Sequence, residues 1–517
     1  MAEQIRVVRL ILGDQLSDYH SWYPQVDPSI LYVMMEVRPE TEYVTHHIQK
    51  LVAVLSAMRL FAQSLQEKGH RVRYWKIADP DNHHSFVGNL AQLITKGSPP
   101  SIEYQTPDEY RLQQILGQEL GTLGVAVREV DTEHFLSTPG DFRRGQRMET
   151  FYRGMRRKTG YLMDGDQPRG GSWNYDAENR KAWKGSPSPP VAPNLSTHAE
   201  VRAQVLADLD AAGVPWFGSM PADGWWWPVT ATEARQGLHD FLATALANFG
   251  DYQDALAPGQ PILFHSLLSF GLNTKLVHPR EVIEKAIEAA TAQGSGVSLP
   301  SLEGFVRQIL GWREYMRQFY QASMPDFRRT NFFGAHRPLP DWYWTGDTQM
   351  ACLADSIGSS LQNAYAHHIS RLMVTGNFAL LAGVHPDEVD RWYLGVYIDA
   401  FEWVEITNTR GMSQYADGGG VASKPYAASA AYIQRMGGPC KSCAYDPKKR
   451  HGSNACPFNS LYWGFIDQYR EKFAKNPRMA MPLRTWDKFD ENERRAILQQ
   501  RKTYLSDLLR GSDYGKE

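Results

Sequence analysis

Five short apolar runs separated by stretches of helical periodicity constrain the first quarter of this chain more than any other feature. The runs lie at 5–12, 30–37, 72–77, 102–105 and 125–130. Between the second and third, the stretch 42–68 places Val44, Ile48, Leu51, Leu55 and Met58 at helical spacing and stops at Gly69. Alternation of this kind implies a Rossmann-like α/β domain with a parallel sheet, expected over 1–136. Ligands of such sheets sit beyond the carboxyl ends of strands, here Gly13-Asp14-Gln15-Leu16 and the Glu36 region. From 137 to 232 the pattern loosens into Gly, Pro, Ser and Trp clusters and reads as a connector. From 233 to 517 nearly everything has helical periodicity, clearest at 235–249, 279–293, 302–320, 350–375 and 389–402, so the larger second domain is expected to be all-α.

A chain of 517 residues is too long for one ordinary core. With 42% hydrophobic residues, 15 Trp and 25 Tyr it belongs with folded proteins that line cavities with aromatic rings, which excludes disorder as a default. No run of about 18 apolar residues occurs, and Met1 to Leu12 lacks the zones of a secretory signal, so a soluble, cytoplasmic monomer is expected, with no membrane partner. The net charge of -2 excludes a protein that coats DNA by charge alone. DNA contact would need local patches, such as Arg143, Arg144, Arg147, Arg153, Arg156, Arg157 and Lys158, or Lys441, Lys448, Lys449, Arg450 and His451. A solvated face explains either patch equally well.

The chain has four cysteines, and three of them form Cys440-x2-Cys443-x12-Cys456 followed by Pro457. Cys352 lies far upstream. Tight local spacing with one remote thiol is how a four-thiolate site pins two chain segments together, which suits an iron-sulfur cluster. A structural zinc accepts the same ligands, and four unrelated buried thiols are the third possibility.

The helical half carries motifs that resemble the photolyase and cryptochrome family. Phe305-Val306-Arg307-Gln308-Ile309-Leu310-Gly311-Trp312-Arg313-Glu314-Tyr315 is similar to its phenylalanine-arginine-glutamine and tryptophan-arginine-glutamate signature. Leu267-Leu268-Ser269-Phe270-Gly271 resembles the element that approaches the flavin phosphates. Tyr365-Ala366-His367-His368-Ile369-Ser370-Arg371-Leu372-Met373, and Tyr397-Ile398-Asp399 with Glu405, resemble the stretches around the isoalloxazine ring. The four cysteines together with His367-His368 look like the iron-sulfur bacterial cryptochrome and photolyase branch. The sequence departs from the wider family at Ile369, where asparagine is usual, and at Glu405, where asparagine commonly faces flavin N5.

The resemblance implies FAD, a 4Fe-4S cluster and a 6,7-dimethyl-8-ribityllumazine antenna, with UV-damaged DNA as partner. It further implies light-driven repair of the pyrimidine (6-4) pyrimidone lesion by electron transfer from excited reduced FAD. His368 would be the proton donor and His367 its neighbour in catalysis, because histidine titrates near physiological pH. Arg371 and Asp399 would clamp the flavin ring edge, with Glu405, Arg307, Gln308 and Trp312 also in the cofactor site. Ser266, Leu267, Leu268 and Ser269 would meet the pyrophosphate at a helix start. Asp14, Gln15 and Glu36 would hold the lumazine, Trp344, Trp392 and Tyr393 would carry electrons, and Tyr426 and Tyr432 would meet the lesion. Cys352, Cys440, Cys443 and Cys456 would ligate the cluster. A blue-light receptor of the same branch without repair is the alternative; the histidine pair and the absence of a long C-terminal extension favour repair. A flavin-free iron-sulfur protein that binds nucleic acid, resembling the large subunit of DNA primase, is a more distant reading.

Overall fold

In the first apolar run Val8, Leu10 and Leu12 face one side, and in the second Leu31, Val33 and Met35 join them against Phe86, Leu112 and Leu116. Tyr32 and Met34 point to the opposite side, where the next helix packs. This alternation is the period of a strand buried on both faces. The structure, a computed structural model, describes residues 4–94, 100–221 and 224–511. Strands β1 (Val7–Leu10), β2 (Ile30–Met35), β3 (Arg71–Trp75), β4 (Ser101–Gln105) and β5 (Val127–Val130) form one sheet in the order β3-β2-β1-β4-β5. Every pairing is parallel, with Val8 opposite both Leu31 and Ile102. The order reverses at β1, so the switch point of the sheet lies at the carboxyl ends of β1 and β4.

Helix α1 (Ile48–Glu67) follows β2 but starts six residues later than the apolar spacing suggests. His46 and His47 instead pair in parallel with Trp216 and Phe217, and the His47 ring caps the helix by accepting from the Gln49 amide. The expected connector also holds regular structure, with helices at Met148–Thr159 and Ala199–Ala212. In each, apolar residues such as Phe151, Tyr152 and Met155, or Val205 and Leu209, join the main core.

Beyond residue 230 the described residues are helical, but three of the expected helices are interrupted. The stretch 235–249 divides into Ala231–Thr244 and Leu246–Tyr252. The stretch 350–375 ends as helix α2 (Ala351–Asn363) at Ala364, whose φ of 52° is left-handed. The stretch 389–402 becomes helix α3 (Pro386–Val396), an extended segment, and a new helix at Glu402–Ile406. Tertiary contacts override the periodicity at these points.

The sheet and the helices meet through buried charge. Lys275 reaches across with its ammonium 2.6 Å from Asp108 Oδ2 and 3.2 Å from Asp14 Oδ2, and it donates to the Asp14 carbonyl at 2.7 Å. All three side chains are at most 8% exposed. Burial pushes the Asp14 carboxyl up to about 6, against the pull of Lys275. Lys275→Ala leaves Asp14 without its cation and Asp108 with Arg317 alone, at 3.3 Å, and a loss of about 3 kcal/mol of stability is expected. Chemical denaturation measures this, with exposed Lys285→Ala as the control that stays at the wild-type midpoint.

Candidate functional site

Asp399 sits in the second of these interruptions and Arg371 in the π-helical turn just beyond the first, so their pairing ties the two breaks together. The Arg371 guanidinium forks onto both Asp399 oxygens at 2.9 and 3.2 Å, while its Nε donates to the Ala366 carbonyl at 2.6 Å. The Ile398 amide donates to the Ala364 carbonyl at 2.9 Å, which stitches the second break to the first. Asn273 supports the turn by donating to the Asp399 carbonyl at 2.9 Å. Burial would raise the Asp399 carboxyl, but Arg371 overrides it and holds the group below the usual carboxylate range. Glu405 lies 3.8 Å from Arg371 without a hydrogen bond, and there burial dominates, pushing its carboxyl up to about 7. The Arg371 plane also lies over the Tyr397 ring, 3.8 Å from its centre. A flat, hydrogen-bonding ring edge is the ligand such a rigid fork and its near-neutral carboxyl suit.

The histidine pair splits into two environments. His367 is buried, its Nε2 is 3.3 Å from Ser370 Oγ, and its Nδ1 finds no partner. Its ring stacks on His265, centroids 4.7 Å apart and planes 10° apart. His265 was invisible to sequence reasoning except as the neighbour of Ser266. Both His265 nitrogens face carbonyls, Ile262 at 2.9 Å and Gln253 at 3.1 Å, so the ring is clamped. His368 is exposed to solvent. Crowding by protein lowers it to about 4, with Arg371 and His265 adding repulsion.

Three π-helical turns, Arg307–Arg313, Ser370–Gly376 and Thr407–Ser413, fall on or beside the motifs singled out above. Such turns cost backbone geometry and concentrate at functional sites. The second and third touch at Gly376, where a Cβ would lie 2.1 Å from Ser413 Oγ, so only glycine permits the approach. The remaining expected residues are distributed unevenly. Ser266, Leu267 and Leu268 lead into a helix of only five residues, Ser269–Asn273, so the anion seat at a long helix start is not there. Arg307 spends its guanidinium on Glu303 and Asp176, Gln308 donates to the Gly304 carbonyl, and Trp312 packs edge-on against Tyr315. Tyr426 and Tyr432 are half-buried, both feel the charge of Arg180, and Arg435 covers the Tyr432 ring at 5.3 Å. Of the two basic stretches, the first gathers Arg153, Arg156 and Arg157 around the Trp173 indole. In the second, Arg450 is paired with Glu493.

Trp392 and Tyr393 are buried and 5.2 Å apart, with Tyr397 a further 5.2 Å from Tyr393 and beneath Arg371. Trp344 is 39% exposed and its ring meets Phe217. The ring that reaches Trp392 from that segment is Tyr343, at 5.1 Å.

The four cysteines are free thiols that line one pocket with Met350, Phe458 and Tyr445. Cys352 lies in the first turn of α2, and Cys456 caps helix α4 (Pro457–Gln468). Among the described residues no three His, Cys, Asp or Glu groups gather tightly enough to hold one metal ion. Thiols spread around a shared pocket fit a polynuclear cluster better than a single zinc. Burial raises the Cys456 thiol to about 12 and Cys352 well above its usual value, so ligation there needs a cationic centre to hold the thiolates while their protons leave to solvent.

At the switch point of the sheet a cleft of about 770 Å³, mouth included, is lined by Asp14, Glu36, Tyr43, His46 and Lys50 among others. The Glu36 carboxylate is consumed by Arg59, Tyr74 and the Ile77 amide. Gln15 is tied to the Leu12 amide and the Gln105 carbonyl. His46 is buried with neither ring nitrogen hydrogen-bonded, which makes it the polar group left for a ligand. Lys50 donates to the Leu394 and Ala400 carbonyls, linking this cleft to the segment that carries Asp399.

Comparison with known proteins adds three findings. Residues 9–225 match the family described as deoxyribodipyrimidine photo-lyase-related protein. A protein of Agrobacterium fabrum named (6-4) photolyase is 45% identical over 506 residues, 96% of this chain and 99% of its own. Two solved structures share the fold at low identity. A bacterial class III photolyase from Agrobacterium tumefaciens has a TM-score of 0.58 at 15% identity over 99% of both chains. A Synechocystis cryptochrome has 0.59 at 13% identity, covering 97% of this chain and 99% of its own.

The thiol pocket joins α2 to the 440–456 loop, so Cys443→Ser is expected to give insoluble protein or protein that loses its flavin. Solubility, iron content and visible absorption measure this. A folded, flavin-loaded variant without iron would show that the pocket does not shape the neighbouring site.

Proposed function

The chain belongs to the photolyase and cryptochrome family, and from that premise we propose that it is a light-driven DNA lyase that repairs the pyrimidine (6-4) pyrimidone photoproduct. The observation that carries this reading is the histidine group set beside the Arg371–Asp399 fork, in a chain so similar to a named (6-4) photolyase. Splitting a cyclobutane dimer needs only an electron. Returning a hydroxyl from one base to the other also needs a proton donor in the same pocket.

Flavin adenine dinucleotide, when bound and reduced, supplies the photo-excited electron. Arg371 and Asp399 orient the ring edge, and Glu405, near neutrality at pH 7, can hold or give a proton there. Ser266 to Ser269 meet the pyrophosphate through individual amides. The damaged pair must leave the stack to reach this depth. Tyr426 and Tyr432 offer it aromatic faces, with Arg180 and Arg435 beside them for phosphates. Arg153 and Arg157, outward on the helix Met148–Thr159, add charge for the flanking duplex.

His368 delivers the proton, with His367 holding its own unpartnered Nδ1 toward the same cleft. In the protein alone His368 is neutral at pH 7, because its pKa of about 4 lies below that of a free imidazole. Burial contributes most to this lowering and Arg371 next; phosphates of the flavin and of DNA would offset the Arg371 part and raise the imidazole toward its ordinary range.

A 4Fe-4S cluster is assigned to Cys352, Cys440, Cys443 and Cys456, supported by their shared pocket. The cleft at the sheet switch point takes the antenna, 6,7-dimethyl-8-ribityllumazine. Asp14, His46 and Lys50 are its polar contacts, and Glu36 and Gln15 act behind them. No described helix is long and apolar enough to cross a membrane.

Illumination of the reduced protein with DNA carrying a single (6-4) photoproduct is expected to restore the bases, and a cyclobutane dimer in the same sequence is expected to persist. Restoration of neither, with flavin photoreduction intact, would leave a light receptor as the better reading. His368→Ala should keep flavin binding and photoreduction but lose repair. A side-chain NMR titration should find His368 near pH 4 in the flavin-free protein and higher once lesion DNA is bound.

A further inference from the structure

Trp392 has a second set of aromatic neighbours that leads toward the thiol pocket. Its indole Nε1 donates to the Tyr343 carbonyl at 3.0 Å, and the two rings meet edge-on at 5.1 Å. Tyr343 stacks on Trp342 with centroids 4.7 Å apart and planes 27° apart. Trp342 meets Phe378 at 5.0 Å, and Phe378 meets Phe458 at 6.0 Å. Phe458 is itself part of the wall of the four-thiol pocket. Phe378, Phe458, Tyr343 and Trp392 are wholly buried, so this column of rings is dry along most of its length. At the other end Trp392 continues through Tyr393 and Tyr397 to the Arg371 fork. Ring contacts thus run without a break from the thiol pocket to the flavin-binding pair.

We propose that Trp342 is a relay residue that connects the cysteine-bound cluster to the flavin through Tyr343 and Trp392, separately from the exposed Trp344. The inference rests on the flavin and cluster assignments above. In chemical terms, Trp392 gives one electron to the photo-excited, oxidised flavin, with Tyr393 as the bridge between them. The hole left on Trp392 moves to Trp342, and one electron from the cluster, in the resting state that coexists with oxidised flavin, fills it. The flavin gains one electron, the cluster loses one, and every aromatic residue ends as it began. No proton needs to move along the column.

The hole rests on Trp342 rather than on Tyr343 for a local reason. A phenol is oxidised readily only if it can shed its proton, and the Tyr343 hydroxyl donates to the Thr375 carbonyl at 2.7 Å, which is no base. Burial also raises the Tyr343 phenol well above its usual value. An indole loses an electron without losing a proton. Tyr343 therefore bridges, Trp342 holds the charge, and the two phenylalanines form one tunnelling step to the thiol pocket.

Protein containing oxidised flavin, with iron and sulfide content verified, is flashed with blue light in the absence of added reductant. Transient absorption follows the tryptophan radical, and samples frozen after the flash are read by EPR for a change in the cluster. The wild type is expected to show light-induced cluster oxidation and rapid loss of the radical. Trp342→Phe should lose the cluster signal and lengthen the radical lifetime, and Phe378→Leu should weaken the signal by opening the column. Trp344→Phe should retain it. Equal cluster signals in Trp342→Phe and wild type, no light-induced signal in wild type, or loss of the signal only in Trp344→Phe would each overturn the proposal. Protein without flavin absorbance or without iron would instead refute the cofactor assignments on which it rests.

Discussion

A guanidinium and a carboxylate removed from water lose hydration worth several kcal/mol each, and they remain charged in the interior only if their geometry compensates. Arg371 and Asp399 meet that condition with a two-point fork, and the rest of the site follows from where the fork must be. Neither residue could reach the other from an uninterrupted helix. The left-handed Ala364, the extended segment before Glu402 and the amide of Ile398 on the Ala364 carbonyl are the backbone consequences. Left-handed backbone costs an alanine about 1–2 kcal/mol. Packing around Gly376 and the two π turns offsets it and leaves a rigid frame of ring-sized width.

Electrostatics in this frame is unbalanced on purpose of the ligand rather than of the fold. Around Arg371 and the three histidines the near carboxylates are Asp399 and Glu405, while Lys50 also feels Glu109; burial and this cationic excess hold His367 and His368 neutral, and burial leaves Glu405 partly protonated. Anionic ligands complete the charge count. A site built this way favours the neutral imidazole until negative charge is brought to it. The same reasoning explains how a chain of net charge -2 can engage DNA. Local cationic groups stand around Trp173 and beside Tyr432.

The thiol pocket and the flavin frame are two ends of one packed body. Helix α2 starts at Cys352 and ends at the break that carries His367 and His368, so strain or disorder at one end reaches the other through a single rigid rod. Lys50 does the same from the sheet side, joining the cleft at the strand ends to the carbonyls on either side of Tyr397. Lys275 fixes the seam between these parts. Three chemistries are therefore held at set separations by buried polar contacts, which tolerate less displacement than apolar packing does.

Period-two and helical spacing were sufficient to read the parallel sheet, the helical second half and the strand ends that line the cleft, because these follow from which side chains a single element buries. Cysteine spacing likewise announced a shared thiol site, since so few thiols in so short a span are informative without a structure. The periodicity could not show that the stretches 350–375 and 389–402 are broken, because apolar spacing continues through both breaks and the ion pair that opens them joins residues 28 apart. For the same reason His265, His46 and Tyr343 were illegible: each acts through a partner distant in the chain, by stacking, by lack of a hydrogen bond or by ring contact. Residue type and local spacing set the elements and the chemistry available. Long-range burial of charge decided where the elements break, and so which side chains face each other.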